Sequence, residues 1–145
     1  MSVNNPEVQI ISDSGKTTLV KITGYYNTAT VANVKAITAN ALAYGNTSQT
    51  CLVSITKMQF ACDSSNGTVQ LFWADTSANT PIANFGSSQT GTWETYLTNN
   101  APNPTGDIGI QTIAVGNGDS YTFLLTLNKE QGYANAWARY NNPEA

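Results

Sequence analysis

The chain has 145 residues, a net charge of −3 and no histidine, and 10% of its residues are charged, against about 25% in an ordinary globular domain. That length suits one domain with a real core. The basic residues Lys16, Lys21, Lys35, Lys57, Lys129 and Arg139 are scattered, which argues against a nucleic-acid surface, and no apolar run approaches the roughly 18 residues of a membrane helix.

Residues 1–7 read as a polar N-terminal arm without the basic and apolar regions of a signal peptide, which points to a protein made inside a cell. Residues 8–12 predict a short strand, Asp13-Ser14-Gly15 a tight turn, and residues 16–26 a longer strand with Lys21 between Val20 and Ile22. Residues 27–32 are loop-like, residues 31–38 a weak strand, and residues 39–44 a single helical turn that Gly45-Asn46 breaks. Residues 51–62 predict a strand with Val53 and Ile55 on one face and Met58 and Phe60 on the other. Asp63-Ser64-Ser65-Asn66-Gly67 is the strongest hairpin signal, because Asn-Gly accepts the positive φ of a tight turn. It predicts that residues 68–75 pair with the preceding strand, with Val69, Leu71 and Trp73 on one face.

Strands follow at residues 80–86, 90–97, 106–114 and 120–128. A loop at 98–104 and the turn Gly116-Asn117-Gly118-Asp119 separate the last three. The final strand places Tyr121, Phe123, Leu125 and Leu127 on one side and Leu124 on the other, which predicts a central strand covered on both faces. About eight short strands at regular spacing predict an all-β fold, an eight-stranded antiparallel β-sandwich with jelly-roll topology. It forms one domain over residues 8–128, between arms at 1–7 and 129–145.

In the C-terminal arm, Tyr133, Trp137 and Tyr140 are spaced i, i+4, i+7 and would share one face of a helix. These three are the candidate interface residues. The arm either packs back onto its own sandwich or docks onto a neighbouring subunit. The low surface charge gives little self-repulsion and favours packing beside copies of the same chain.

Little in the sequence suggests catalysis. Without histidine, Ser-His-Asp and Cys-His arrangements cannot form. Eleven extended steps would hold Cys51 and Cys62 about 36 Å apart on opposite faces. A disulfide needs about 7 Å, so two free, largely buried thiols are expected. Gly15-Lys16-Thr17-Thr18 resembles the end of a phosphate loop, but Ile10 stands where its first glycine belongs. Asp13, Asp63 and Asp119 read as turn caps. Asp107 with Asp119 is the one pairing to consider for calcium, and Asp75 with Glu94 the one to test for glycosidase chemistry. Exposed Trp and Tyr rings would also suit sugar stacking. No catalytic residue, cofactor or metal is expected.

The order of motifs resembles that of small structural proteins of tailed bacteriophages. The similar segments are Lys21-Ile22-Thr23-Gly24, Leu71-Phe72-Trp73-Ala74-Asp75-Thr76, Pro81-Ile82 followed by Gly86 through Trp93, Thr105-Gly106-Asp107-Ile108, and Gly118 through Leu125. They cover roughly residues 16–129. The chain departs from the pattern in the order Ala74-Asp75, in Thr98-Asn99-Asn100 where a Gly-Gly pair is common, and in its aromatic tail. The resemblance implies a virion component without enzymatic activity, most plainly a capsid decoration (cement) protein. Such a protein would bind the major capsid protein and copies of itself, commonly as a homotrimer, on the outside of the mature head. A tail, connector or fibre-base subunit and a carbohydrate-binding β-sandwich are the alternative readings.

Overall fold

The computed structural model describes residues 6–25, 34–45, 48–63, 67–86, 88–113 and 119–133. The expected turns at 64–66 and 116–118, most of the N-terminal arm, and Trp137 and Tyr140 therefore lie outside the described residues. Among the described residues nine strands follow one another: β1 Glu7–Asp13, β2 Thr17–Tyr25, β3 Val34–Ile37, β4 Leu52–Asp63, β5 Thr68–Asp75, β6 Thr80–Phe85, β7 Gln89–Trp93, β8 Pro104–Ile113 and β9 Ser120–Gln131. A short 3-10 turn at Ala39–Ala41 stands where the sequence predicts a helical turn.

The pairing is nested. β2 pairs with β9, β3 with β8, β4 with β7 and β5 with β6, all antiparallel. Two more pairings, β4 with β9 and β5 with β8, roll this folded ribbon into two sheets. Their strand orders are β1-β2-β9-β4-β7 and β3-β8-β5-β6. This is a jelly roll, with β1 added as a ninth strand on one edge.

The sequence predicts β4 and β5 as a hairpin, and they are not one. β4 lies in the first sheet and β5 in the second, so the Asn66-Gly67 segment links the two sheets. The reason is burial. Val53, Ile55, Met58 and Cys62 on β4 and Val69, Leu71 and Trp73 on β5 are all buried. Both strands can bury their apolar rows when they face each other across the sandwich. An Asn-Gly signal announces a turn but not which strands pair.

The predicted two-faced β4 is also corrected. The register of β4 against β9 shifts between Ile55 and Lys57, which marks a bulge at Thr56. A bulge inserts one residue and so inverts the alternation beyond it. Val53 and Ile55 before it, and Met58 and Cys62 after it, thereby reach the same core. The bulge also removes the parity argument that placed the two cysteines on opposite faces. Both are buried, and neither forms a disulfide.

Three further expectations change. β9 is central in its sheet, but Leu124 on its outer face is only half-buried, so it is covered fully on one side alone. The strand predicted at 90–97 ends at Trp93, and Leu97 makes a separate two-bond bridge with Ile55 (2.9 and 2.8 Å). Lys129 to Gln131, read from sequence as the start of the tail, are the last residues of β9.

The core is led by Trp73, Tyr121, Phe85, Phe123, Ile22, Ile55 and Met58. Its aromatic part is a chain of tilted contacts, Phe60–Phe85 at 4.6 Å, Phe85–Phe123 at 5.1 Å and Tyr121–Phe123 at 5.5 Å between ring centroids. Two glycines are dictated by close approach. At Gly24 a Cβ would lie 2.2 Å from the Tyr121 ring, which covers that position from β9. Gly106 has φ +93°, and a Cβ there would lie 1.9 Å from the Cys51 carbonyl oxygen. Gly106→Ala is therefore expected to cost at least about 2 kcal/mol, combining backbone strain with a clash against main chain. Urea unfolding should show a lowered midpoint; an unchanged midpoint would contradict this placement of Gly106.

Candidate functional site

The titratable side chains of the described residues are largely engaged in holding the fold. Asp107, buried at the start of β8, accepts a hydrogen bond from the Ala39 N–H (2.8 Å) and faces Lys35 Nζ at 3.1 Å. It thereby holds the 3-10 turn against β8. Asp75 accepts from the Ser77 N–H (2.7 Å) and the Asn103 N–H (2.8 Å), which joins two neighbouring loops. These hydrogen bonds hold its carboxyl below the usual range. Glu94 pairs with Lys57 at 3.6 Å, and both side chains are well exposed, so the pair adds little. Asp75 and Glu94 thus serve separate structural partners. Among the described residues no group of three or more His, Cys, Asp or Glu side chains could hold a metal. Lys16 and Thr17 lie at the β1–β2 hairpin, closed by the Ser14 N–H to Thr17 carbonyl bond (2.9 Å), and a strand follows them where a phosphate loop needs a helix.

Lys129 is the buried ammonium of the described residues that closes one end of the sandwich. Its side chain is 0% exposed, and its ammonium donates to Asp13 Oδ1 (2.6 Å), to the Ala43 carbonyl (2.8 Å) and to the Ser14 carbonyl. It also stands 5.1 Å from the Tyr133 ring centroid. Asp13 in turn accepts from Thr18 Oγ1 (2.9 Å) and the Ala43 N–H (2.7 Å). A second bulge makes this geometry. The β1–β2 register shifts between Ile10 and Ser12, so Asp13 falls opposite the buried Thr18 on the inner face.

Tyr133 is the one candidate interface residue within the described part of the chain. It is buried in the core cluster, and its hydroxyl donates to the Ala39 carbonyl at 2.5 Å. Burial above all, with nearby Cys51, Asp13 and Asp107 adding to it, pushes that hydroxyl's pKa up. Tyr133 therefore packs on its own sandwich.

The open surface lies at the edges. Among the described residues β1 is bonded to β2 alone, and Val8, Ile10 and Ile11 are 40%, 48% and 48% exposed. Val8 and Ile10 oppose the buried Ile22 and Val20 across the pair, so they continue the inner apolar face beyond the closed core. The interior of this strand carries no charge to discourage pairing with another chain. The opposite edge, β7, is different. It is polar apart from Trp93, whose ring caps Phe60 (5.5 Å) and Phe85 (5.8 Å). Sequence reading placed a strand at 8–12 but gave no sign that its apolar residues stay uncovered.

No known family model matches the chain, and no curated protein matches it in sequence. Among solved structures, a variant of a family 29 carbohydrate-binding module is similar over 95% of this chain and 99% of its own, at 9% identity and a TM-score of 0.39. A cupin superfamily protein from Desulfitobacterium hafniense is similar over 90% and 83%, at 9% identity and a TM-score of 0.32. The cysteine peptidase Peruvianin-I from Thevetia peruviana latex is similar at 11% identity and a TM-score of 0.36. The chain covers 64% of that peptidase, and 88% of this chain is matched. Likenesses this distant assign neither a function nor a site.

Two predictions follow from the buried groups. Burial works to raise the Asp13 pKa, but the bonds from Lys129, Ala43 and Thr18 and the Lys129 charge outweigh it and hold it below its ordinary value. A depressed carboxyl stabilises the fold above its unfolded pKa of about 3.9 and loses that contribution as pH falls through the folded value. Asp13→Asn, which leaves the Lys129 ammonium buried without its counter-charge, is expected to cost about 3 kcal/mol or more at pH 7. Urea titrations from pH 7 to 2 should show the gap between native and variant chains closing below pH about 4; a gap that stays constant with pH would contradict the pairing. Burial also pushes the Cys62 thiol pKa up to about 12. A disulfide-exchange thiol reagent at pH 8 should therefore label Cys62 only after denaturant is added, and prompt labelling of the native chain would refute its burial.

Proposed function

We propose that this chain is a non-enzymatic structural protein of a tailed-phage virion, and within that class a capsid decoration protein that binds the outside of the mature head. The observation that carries the proposal is the division of labour in the molecule. Asp13, Asp75, Asp107 and Lys129 are committed to internal bonds, while among the described residues a β-strand edge with three exposed aliphatic side chains is left open. A jelly roll built in this way works through its surface, and the same architecture serves in viral capsid domains.

The motif resemblance supports the same reading, because its segments fall on the positions that specify the fold. Gly24 of the first motif lies under Tyr121 of the last. Gly106 and Asp107 of the fourth hold β8 against Cys51 and the 3-10 turn. The motifs therefore speak for a shared framework rather than a shared catalytic site. The partners in this proposal are the major capsid protein and further copies of the chain, arranged as a homotrimer, and the place of action is the virion surface. A protein that binds only the assembled shell stabilises it by mass action.

The test is co-sedimentation with expanded and unexpanded empty heads of the phage that encodes the chain. Saturable binding to expanded heads alone is expected, and Ile10→Lys together with Ile11→Lys should weaken it at least about tenfold while leaving the urea midpoint nearly unchanged, because both side chains are half-exposed. Absence of binding to either head form would overturn the decoration reading. Deletions probing the tail should begin at residue 134, since removal from Lys129 takes out a buried ammonium and a core tyrosine.

A further inference from the structure

Among the described residues the two sheets end in four edges, and three of these are short or interrupted. β3 is four residues long and carries Lys35. β6 carries Pro81, which has no N–H to offer another strand. β7 is five residues long with Gly91 at its centre. β1 is seven residues long and contains no Lys, Pro or Gly. It is also the strand by which the first sheet outnumbers the second.

The hydrogen-bond phase of β1 follows from its neighbours. The Lys129 N–H donates to the Lys16 carbonyl (2.7 Å), and the Ser14 N–H to the Thr17 carbonyl (2.9 Å). Bonded and non-bonded pairs alternate in an antiparallel sheet, so even residues of β2 bond to β9 and odd ones to β1. Lys21 and Thr23 therefore bond to Gln9 and Glu7. The main-chain groups of Val8 and Ile10, opposite Ile22 and Val20, point away from β2 into the open edge. That run of outward groups is closed at both ends, by Pro6, which has no N–H, and by the bulge at Ile11.

We infer that β1 pairs antiparallel with β1 of a second copy of the chain, across a two-fold axis at Gln9. In that register Val8 of each copy lies opposite Ile10 of the other, so outward residues meet outward residues and exchange their bonds. Their side chains share the inner face with Ile22 and Val20, and the Val–Ile contacts carry this aliphatic row from one core to the other. No like charges meet, because Glu7 falls opposite Ile11. The neighbouring registers fail. An axis at Ile10 sets Val8 against Ser12, whose main chain faces Leu19, and brings Glu7 opposite Asp13. An axis at Val8 sets Ile10 against Pro6. The axis at Gln9 uses the whole run, and a copy of this chain is the partner that the run fits. The pairing names the partner of the edge left open in the proposed function, and it rests on that reading for the shell that gathers the copies. One short strand pair is marginal in dilute solution, whereas copies held side by side on a shell meet at high effective concentration. Being two-fold, the contact joins neighbouring trimers rather than the copies within one.

The test is oxidative cross-linking of the full chain without heads, at about 1 mM with diamide as oxidant, read on non-reducing gels. Both native cysteines are buried. A non-bonded pair brings Cα atoms to about 4.5 Å, inside the disulfide limit of about 7 Å, so Gln9→Cys should link to its symmetry mate. Glu7→Cys lies on the same face two residues away, but more than about 12 Å from its mate, and should link at least about tenfold more slowly. Val8→Pro removes an outward N–H and leaves the bonds to β2 in place. Added to Gln9→Cys, it should bring linking down to the Glu7→Cys rate, with a urea midpoint near that of the native chain. The contrast between the two cysteine variants stands whether or not the proline variant folds. Equal rates for Gln9→Cys and Glu7→Cys would overturn the pairing, as would linking of Gln9→Cys that a folded proline variant leaves unchanged. Head binding is scored apart by co-sedimentation. A chain that decorates heads without this cross-link loses the pairing alone, and one that cross-links without binding heads loses the decoration reading alone.

Discussion

An ammonium group sealed inside a β-sandwich organises this molecule. Lys129 is the last inward-facing residue of β9, and its Nζ reaches Asp13 from the β1–β2 hairpin, the Ser14 carbonyl of the following turn, and the Ala43 carbonyl of the connection after the 3-10 turn. One side chain thus ties β9 to two segments far from it in the chain, at residues 13–14 and at residue 43. Desolvating an ammonium is expensive, and the arrangement holds because its bonds are all made and the counter-charge is itself bonded to Thr18 and Ala43. The end of the sandwich is closed by polar groups in fixed directions, which specifies where β1, β9 and the 3-10 turn must meet.

The two bulges serve that closure. Strand alternation has period two, so a strand that must present apolar residues over most of its length and a particular polar residue at its end can be one residue out of phase. The insertion in β1 at Ile11 turns Asp13 inward, and the insertion in β4 at Thr56 lets Met58 follow Ile55 into the core. The same two devices shape the surface. β1 ends correctly at Asp13 but leaves Val8 and Ile10 projecting past the closed core. The segment after β7, bridged at Leu97 to Ile55 beside the β4 bulge, lets the Tyr96 hydroxyl reach Asn128 and Glu130 of β9.

Much of this fold was legible in the sequence, and the losses have specific causes. Strand positions followed from alternation in Val69, Leu71 and Trp73 and in Tyr121 through Leu127, and regular spacing pointed to a jelly roll. The Asn66-Gly67 signal points to pairing of β4 with β5 because turn chemistry is local, whereas the choice of partner depends on which rows of side chains must face one another. Met58 was assigned to the wrong face because nothing in residues 53–58 marks Thr56 as a bulge. Lys129 reads as a surface residue in any composition-based reading, and its partner lies 116 residues away. The exposed β1 edge was invisible for the complementary reason, since an apolar strand looks the same in sequence whether or not something covers it. Tyr96 and Glu130 carry no local pattern; β9 and the segment after β7 bring them together only in three dimensions.

What unites these features is a molecule whose buried polar groups hold its own architecture and whose β1 edge is left apolar and exposed. Hydrogen–deuterium exchange of the chain, free and bound to expanded heads, tests that account most directly. The amides of residues 7–12 that point away from β2 have no partner among the described residues and should become strongly protected on binding, while the sheet interior changes little. Unchanged exchange along β1 in a bound sample, with protection elsewhere on the sandwich, would contradict the assignment of the open edge as the working surface.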